Sequence, residues 1–148
     1  MKLIFLDIDG VLNNERTNSR TPDGYVGISD NLTKRLGRII KETNAKVVLT
    51  SDWKDYSSAK DTAYMQKKLV RFNALPIGKT KDEWQKRGAG INAYLKDCKC
   101  ESFVILDDNE FDFQEENLLQ YTILTNPIIG LTDDDVNNAI KILNSIEN

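Results

Sequence analysis

Two carboxylates that stand two residues apart, Asp7 and Asp9, come directly after an apolar run and just before a glycine. The run at residues 3–6 is typical of a strand that is buried on both faces, as in the middle of a parallel sheet. In open sheets of alternating strands and helices, ligands bind just beyond the carboxyl ends of the strands. Gly10 permits the sharp turn that the chain makes there. A bare pair of this kind usually belongs to a solvated loop, but in this setting it predicts a reactive site.

Two further apolar runs also end in side chains that can do chemistry: Ser51 follows one of them, and Asp107 with Asp108 follows the other. Because the carboxyl ends of parallel strands lie side by side, we expect these residues to converge with Asp7 and Asp9. Four crowded carboxylates repel one another and are tolerated mainly when a cation neutralises them. Oxygen ligands at a partly hydrated site favour Mg²⁺ over zinc or copper, so the cluster predicts a bound Mg²⁺.

The composition excludes several kinds of catalytic and metal site. The chain has 148 residues, of which 40% are hydrophobic and 29% charged, as is ordinary for one globular domain; we expect that domain to span residues 1–148. Because there is no histidine, catalysis must rely on carboxylates, hydroxyls, Lys or Arg, and a hard cation. Cys98 and Cys100 are too few for a disulfide framework or a four-ligand zinc site.

The sequence offers no general reason to expect membrane or nucleic-acid binding from its net charge of −3. No apolar stretch approaches the roughly 20 residues that cross a bilayer, and the first strand begins at once without a charged leader. We therefore expect a cytoplasmic protein with no membrane partner. Nothing in the sequence predicts its oligomeric state.

Strands and helices alternate along the chain, which predicts an α/β fold with a doubly wound parallel sheet, right-handed crossovers and helices on both faces. Ser29 and Thr132 are predicted helix N-caps. The polar residues 13–27 are rich in turn formers and are predicted to form a loop or flap. The other predicted elements are strands at residues 3–6, 46–50, 103–106 and 121–124, a short strand before Pro76, and helices near residues 29–42, 58–72, 83–96 and from 132.

The motifs that follow the predicted strands at residues 3–6 and 103–106 resemble those of the haloacid dehalogenase (HAD) superfamily. Residues 7–12, Asp-Ile-Asp-Gly-Val-Leu, resemble its nucleophile motif, and residues 105–108, Ile-Leu-Asp-Asp, resemble its fourth motif. Leu-Thr-Ser-Asp-Trp-Lys at residues 49–54 and Gly-Leu-Thr at residues 130–132 are similar to small HAD domains without a cap. These include the domains of Swiss army knife RNA repair proteins and, in outline, the phosphatase half of polynucleotide kinase-phosphatases.

The second and third HAD motifs are matched with alternatives. The second is an apolar strand that ends in Ser or Thr; Ser51 directly follows the strand and is favoured, with Thr50 as the alternative. The resemblance implies that this hydroxyl donates a hydrogen bond to a phosphoryl oxygen. The third motif is a Lys or Arg near a helix start that offsets charge on the phosphoryl group, and Lys86 and Arg87 both qualify.

The resemblance implies a Mg²⁺-dependent phosphatase mechanism. Asp7 would attack phosphorus and form an aspartyl-phosphate, while Asp9 would protonate the leaving alcohol and then deprotonate the attacking water. The metal would be held by Asp7, the backbone carbonyl of Asp9, and Asp107, with Asp108 in support.

The substrate is indicated mainly by the lack of room for a cap domain. Many HAD phosphatases close a cap over small metabolites, but residues 13–46 and 54–85 can hold only a flap, helices and connections. An open site suits a phosphate at the end of a large molecule, such as a 3′-phosphorylated nucleic acid or a phosphoprotein, with nucleotides and other small phosphomonoesters as alternatives. Several residues could contact a base or backbone, or could simply pack on the sheet edge: Arg16, Arg20, Tyr25, Trp53, Tyr56 and Trp84.

Two rival functions are compatible with a small sheet that carries an acidic pocket. A receiver-type signalling domain also accepts phosphate on an aspartate, but its adjacent acidic pair follows the first strand and its phosphoacceptor stands on a middle strand. The order is reversed here, with Asp-x-Asp first and Asp-Asp late. The second rival is a HAD-like binding module without catalysis, which the complete set of acids, hydroxyls and basic residues argues against.

Overall fold

The computed structural model describes residues 1–145 and contains a five-stranded sheet in the order β3-β2-β1-β4-β5, in which every neighbouring pair is parallel. The α/β fold predicted from the alternation of elements is therefore confirmed. The strands are β1 (Lys2–Leu6), β2 (Lys46–Leu49), β3 (Gly78–Lys79), β4 (Ser102–Asp107) and β5 (Thr122–Leu124). The helices are α1 (Asp30–Thr43), α2 (Trp53–Tyr56), α3 (Ala59–Val70), α4 (Arg87–Lys96) and α5 (Asp133–Asn144).

The central strand β1 is buried on both faces, as its unbroken apolar run predicts. Ile4 and Leu6 pack into a cluster with α1, α3 and α5, whereas Leu3 and Phe5 pack on the opposite face with Ile91 of α4. Burying a large apolar side chain contributes about 1.5–3 kcal/mol, so this strand anchors both layers of helices. The alternation of side chains along a strand then decides which layer each residue at the strand end meets.

The strands reach the carboxyl edge of the sheet at the same level. In the register of the sheet, Leu6 of β1 pairs with Leu49 of β2 on one side and with Leu106 of β4 on the other. The residues that follow these three leucines therefore lie next to one another. This register is what brings three distant segments of the sequence to one place.

The predicted helix starts at residues 29, 58 and 132 are confirmed by side-chain caps. The Ser29 side chain accepts a hydrogen bond from the Leu32 N–H, and the Ser58 side chain accepts one from the Asp61 N–H. Thr132 forms a reciprocal capping box with Asp135 at the start of α5. Each cap satisfies a backbone donor that the first turn of a helix leaves without a partner.

Two predicted elements were wrong in position, and one helix was not predicted. The short edge strand lies after Pro76, because proline has no N–H to donate and the first bond to β2 runs from the Ile77 N–H to the Val47 carbonyl, at 2.8 Å. Helix α4 begins at Arg87 and not near residue 83, because Gln85 adopts a left-handed conformation with φ of 63°. The short helix α2 was not predicted.

The segments between the strands hold no folded cap domain within residues 1–145. Residues 13–27 form a flap that is closed by an antiparallel bridge between Arg20 and Val26, and the segment between β2 and β3 is occupied by α2, α3 and their connections. The site at the carboxyl edge is therefore bordered by a flap and a short helix. Within the same residues, no helix has the length and apolarity that a membrane crossing requires.

Candidate active site

The first component of the site is a pair of buried carboxylates, Asp7 at the end of β1 and Asp107 at the end of β4. The Asp7 N–H continues the ladder between the two strands by donating to the Leu106 carbonyl at 2.9 Å. Phe5 and Ile105 face α4, and Asp7 and Asp107 each come two residues after one of them in the chain. Since side chains alternate along a strand, both carboxylates also face α4.

A third carboxylate, Asp108, completes an acidic cluster. Asp7, Asp107 and Asp108 each offer a carboxylate oxygen, and these oxygens lie within 4.8 Å of one another. Gly10 makes room for this approach: its φ is 80°, and a Cβ at this position would collide with the Asp108 carboxylate. The glycine that the sequence places after the acidic pair is therefore required both for the turn and for the closeness of Asp108.

Arg87 is the only basic residue within salt-bridge distance of this cluster in residues 1–145. Its Nη1 lies 2.8 Å from Asp107 Oδ2 and 3.2 Å from Asp7 Oδ1, and its Nη2 lies 3.3 Å from Asp52 Oδ1. The guanidinium also lies over the Phe111 ring, with Cζ 4.3 Å from the ring centroid. The residue is buried, so its charge acts on the carboxylates with little screening by solvent.

The position of Arg87 depends on a cap supplied from a distant loop. The Asp112 carboxylate accepts the N–H groups of Gly88 at 2.6 Å and Ala89 at 3.0 Å, which fixes the first turn of α4. Lys86, the alternative to Arg87 in the sequence, lies outside the cluster. Its side chain is 63% exposed and its Nζ lies 3.6 Å from a carboxylate oxygen of Glu83.

Two carboxylates of the cluster, Asp7 and Asp107, have raised pKa values. Burial raises the pKa of Asp7 well above its ordinary value, and the charge of Asp107 raises it further, while Arg87 lowers it. Burial also raises the pKa of Asp107, to about 6, although Arg87 opposes the shift. Burial lowers the pKa of Arg87, but the charges of Asp107 and Asp7 more than offset this and leave the pKa of Arg87 raised.

Asp9 lies in a different environment from Asp7, although only one residue separates them. Its side chain is exposed and is held through both oxygens: Oδ1 accepts from Asn13 Nδ2 at 2.8 Å, and Oδ2 accepts from Trp53 Nε1 at 3.1 Å. Asn13 is itself fixed, because its Oδ1 accepts the Gly10 N–H at 2.9 Å. The Asp9 carboxylate is thus oriented by neutral donors beside the acidic cluster and does not belong to it.

The two candidate hydroxyls differ in their partners. The Thr50 N–H donates to the Leu6 carbonyl at 2.9 Å, which places Thr50 beside Asp7, and its buried Oγ1 has no hydrogen-bond partner within residues 1–145. Ser51 is also buried, but its Oγ accepts the Trp53 N–H at 3.2 Å and thereby stabilises the turn into α2.

Of the aromatic residues considered from the sequence, three line a cavity beside Asp9 and one does not. Trp53 is almost fully buried and forms one wall, while Tyr25 of the flap and Tyr56 of α2 are 70% and 76% exposed. Trp84 is 78% exposed and lies outside the cavity.

The donor set of the acidic cluster fits a hard divalent cation. All the candidate ligand atoms are carboxylate oxygens, and the Arg87 guanidinium pairs with only two of the three carboxylates of the cluster, Asp7 and Asp107, while it also pairs with Asp52. This leaves an excess of negative charge at a site where burial already disfavours the ionised forms. A bound cation would relieve that stress directly.

Comparison with known families matches residues 3–136 to a model described as the HAD domain in Swiss Army Knife RNA repair proteins. The chain belongs to this family. The match covers β2 to β5, all of β1 except Lys2, and every residue of the acidic cluster. A search of curated proteins finds no match. The family indicates hydrolase chemistry of the phosphatase type with a metal ion, which agrees with the acidic cluster.

Sequence patterns did not single out four residues that organise the site. Asn13 lies in the predicted flap, and Asp52 lies within the motif at residues 49–54. Phe111 and Asp112 lie in an irregular loop after β4. Asn13 acts on Gly10 and Asp9, which are three and four residues away, whereas the other three residues act on α4 from segments far apart in the chain. No local periodicity marks any of the four. The only available signal was the acidic and aromatic character of the loop that follows the Asp-Asp motif.

The raised pKa values predict an unusual pH dependence of stability for the metal-free HAD domain. A carboxylate whose folded pKa exceeds its unfolded value of 3.8 binds more protons in the folded state, so stability falls as the pH rises through the folded pKa, about 6 for Asp107. Between about pH 5 and about pH 7.5 we expect a loss on the order of 1–3 kcal/mol in the free energy of unfolding. The absence of histidine keeps this window free of the usual titrating side chain.

Urea denaturation in a chelator at several pH values measures this loss. Saturating Mg²⁺ should abolish or reverse it, because a cation favours the ionised carboxylates, and Asp107→Asn should reduce it. Metal-free stability that is constant across this window would contradict the prediction.

Proposed function

We propose that this HAD domain is a Mg²⁺-dependent phosphomonoesterase that acts through an aspartyl-phosphate on Asp7, with Asp9 as the general acid and base. The observation that carries the proposal is the arrangement of two kinds of carboxylate. Asp7 is buried against Arg87 and Asp107, while Asp9, beside it, is exposed and oriented by Asn13 and Trp53. One carboxylate is thus placed as a nucleophile and the other as a proton carrier.

In the first step, an Asp7 carboxylate oxygen attacks phosphorus and the bond between phosphorus and the leaving oxygen breaks. Asp9, protonated at this stage, transfers its proton to the leaving oxygen, so an alcohol departs and Asp9 becomes a carboxylate. General acid catalysis of this kind contributes about 10²–10⁴-fold to the rate. The step divides a difficult hydrolysis into two easier displacements.

In the second step, the Asp9 carboxylate removes a proton from water as the water oxygen attacks phosphorus. The bond between phosphorus and Asp7 breaks, which releases inorganic phosphate, regenerates the Asp7 carboxylate and leaves Asp9 protonated for the next cycle. The hydrogen bonds from Asn13 and Trp53 hold the Asp9 carboxylate in one orientation through both steps.

Electrostatic stabilisation supplies much of the catalysis in phosphoryl transfer. Arg87 offsets negative charge at the phosphoryl group and at its acidic surroundings. The Thr50 hydroxyl, which has no partner within the described part of the chain, donates to a phosphoryl oxygen. This assignment departs from the sequence, which favours Ser51. A Mg²⁺ ion held by Asp7, the Asp9 carbonyl and Asp107, with Asp108 in support, would supply further charge neutralisation at the phosphoryl oxygens.

The substrate we propose is a phosphomonoester at the 3′ end of a nucleic acid or on a nucleotide. Two observations support it: the family is described from RNA repair proteins, and the site is bordered by a flap and a short helix without a cap domain. A terminal phosphate can enter such a site while the rest of a long molecule remains outside.

Phosphate release from an aryl phosphate and from a 3′-phosphorylated oligonucleotide, each with and without Mg²⁺, tests the proposed function. We expect Mg²⁺-dependent turnover that Asp7→Asn abolishes and that Asp9→Asn lowers by roughly 10²–10⁴-fold. Trapping of labelled phosphate on the wild-type chain and not on Asp7→Asn identifies the intermediate. Turnover that survives Asp7→Asn would overturn the mechanism, and no release from either substrate would favour a binding module without catalysis.

Neighbouring substitutions distinguish Arg87 from Lys86. Arg87→Gln removes the guanidinium that contacts the cluster, so we expect kcat to fall by roughly 10²–10³-fold, whereas Lys86→Gln should change it by less than about twofold. Steady-state kinetics at saturating Mg²⁺ measures both, and circular dichroism verifies that each variant is folded. Equal losses in the two variants would contradict the assignment.

A second pair of substitutions distinguishes the two hydroxyls. Thr50→Val removes a hydroxyl that has no hydrogen-bond partner among residues 1–145, so it should leave stability intact while lowering kcat by about 10–10²-fold. Ser51→Ala removes the acceptor for the Trp53 N–H and should instead cost about 0.5–1.5 kcal/mol of stability with a smaller effect on kcat. Thermal denaturation and kinetics on the same samples measure both effects; the reverse pattern would assign the role to Ser51.

A further inference from the structure

A cavity of about 430 Å³ opens directly beside Asp9, between the flap and α2. Its walls include Asp9, Tyr25, Asp52, Trp53, Tyr56 and Asp61. This volume lies in the range of pockets that bind small organic molecules. Because Asp9 is the proposed proton donor to the leaving oxygen, the cavity lies where the leaving group would depart.

Two aromatic rings, those of Tyr25 and Tyr56, line the cavity without being buried in the core. Tyr25 and Tyr56 are 70% and 76% exposed, and they come from opposite borders of the cavity, one from the flap and one from α2. Within residues 1–145 neither ring stacks on another aromatic side chain or lies beneath a cation. Exposed rings at the border of a pocket are suited to stacking on a flat ligand, which contributes about 5–150-fold in affinity for each base.

The charges of the cavity exclude a phosphate and favour hydrogen-bond donors. Its walls contain three carboxylates and no lysine or arginine within the described residues. Asp61 is buried and fixed, since its Oδ1 accepts the Asp23 N–H at 3.1 Å, and Asp52 is held by Arg87. Carboxylates accept hydrogen bonds and repel anions, so the occupant is not an anion and carries hydroxyl or amino donors.

We propose that this cavity is the leaving-group subsite of the HAD domain and that it binds a nucleoside. The base stacks against Tyr25 and Tyr56, and the ribose hydroxyls and exocyclic amino groups donate toward Asp52 and Asp61. The assignment rests on the proposed function, because it orients the substrate with its phosphate at Asp7 and Arg87 and its nucleoside beyond Asp9. A phosphotyrosine side chain shares the flat ring but carries no donors for the two carboxylates.

Binding of a free nucleoside tests the subsite without depending on catalysis. The chain has two tryptophans, so Trp84→Phe leaves Trp53, a wall of the cavity, as the only tryptophan reporter. In this background, titration with adenosine should change the Trp53 fluorescence, and Tyr25→Ala or Tyr56→Ala should weaken binding by about tenfold, equivalent to ~1.4 kcal/mol. Both tyrosines are exposed, so neither substitution removes core packing. Adenosine affinity that is unchanged in both variants would overturn the proposal.

Kinetics on three substrates, namely a nucleoside 3′-monophosphate, glycerol phosphate and phosphotyrosine, separates the subsite from the proposed function. With a nucleoside 3′-monophosphate, each tyrosine substitution should lower kcat/KM by about tenfold, mostly through KM, whereas glycerol phosphate should be unaffected. The matched control is Trp84→Phe, which alters an equally exposed aromatic outside the cavity and should match the wild type with every substrate.

The outcomes are distinct. Asp7-dependent turnover that is insensitive to both tyrosines would overturn the subsite and leave the phosphatase standing. A tyrosine effect confined to phosphotyrosine would overturn the nucleoside assignment. Tyrosine-dependent adenosine binding without phosphate release from any substrate would uphold the nucleoside site and overturn the proposed function.

Discussion

The burial of Asp7 and Asp107 around a single guanidinium is the interaction on which the rest of the site depends. Two carboxylates that are removed from solvent and lie close together would be strongly destabilising without Arg87, since an uncompensated buried charge costs about 3–5 kcal/mol. One cation does not balance the whole acidic cluster. The fold therefore tolerates uncompensated negative charge among these carboxylates. A divalent cation bound together with a phosphoryl group would neutralise that charge. Uncompensated charge of this kind is expected where a protein stabilises charge that develops during a reaction.

Several elements serve mainly to place Arg87 and to keep Asp9 apart from it. Asp112 caps α4 from the loop after β4, and Phe111 packs beneath the guanidinium, so one loop fixes the residue from two directions. Asp9 is bound instead by neutral donors from the flap and from the start of α2. Two aspartates separated by one residue thereby acquire different surroundings, because β1 ends at Leu6 and Asp9 lies in the turn that follows the strand. A nucleophile and a proton carrier need this separation.

The two sides of the site also differ in charge. Arg87 and the acidic cluster lie on the side that faces α4. The cavity beyond Asp9 is lined by tyrosines and carboxylates, with no lysine or arginine from residues 1–145. A phosphomonoester has the same division, with an anionic phosphoryl group and a leaving group that is often uncharged. In a HAD domain without a cap, this polarity provides a physical basis for orienting the substrate. The flap and α2, which are the most exposed borders of the site, would then carry the specificity.

The sequence by itself determined the sheet, most helix starts and the carboxylates, because these depend on local patterns: an apolar run such as residues 3–6, a cap such as Thr132, and polar residues directly after strands. It left Lys86 and Arg87 equivalent and favoured Ser51 over Thr50, because adjacent residues share the same local pattern. Only the tertiary structure separated them. In that structure a cap from Asp112 positions Arg87 in the cluster, and the Thr50 hydroxyl has no partner among the residues that the structure describes. Such contacts join segments far apart in the chain, where side-chain direction is set by packing and not by local propensity.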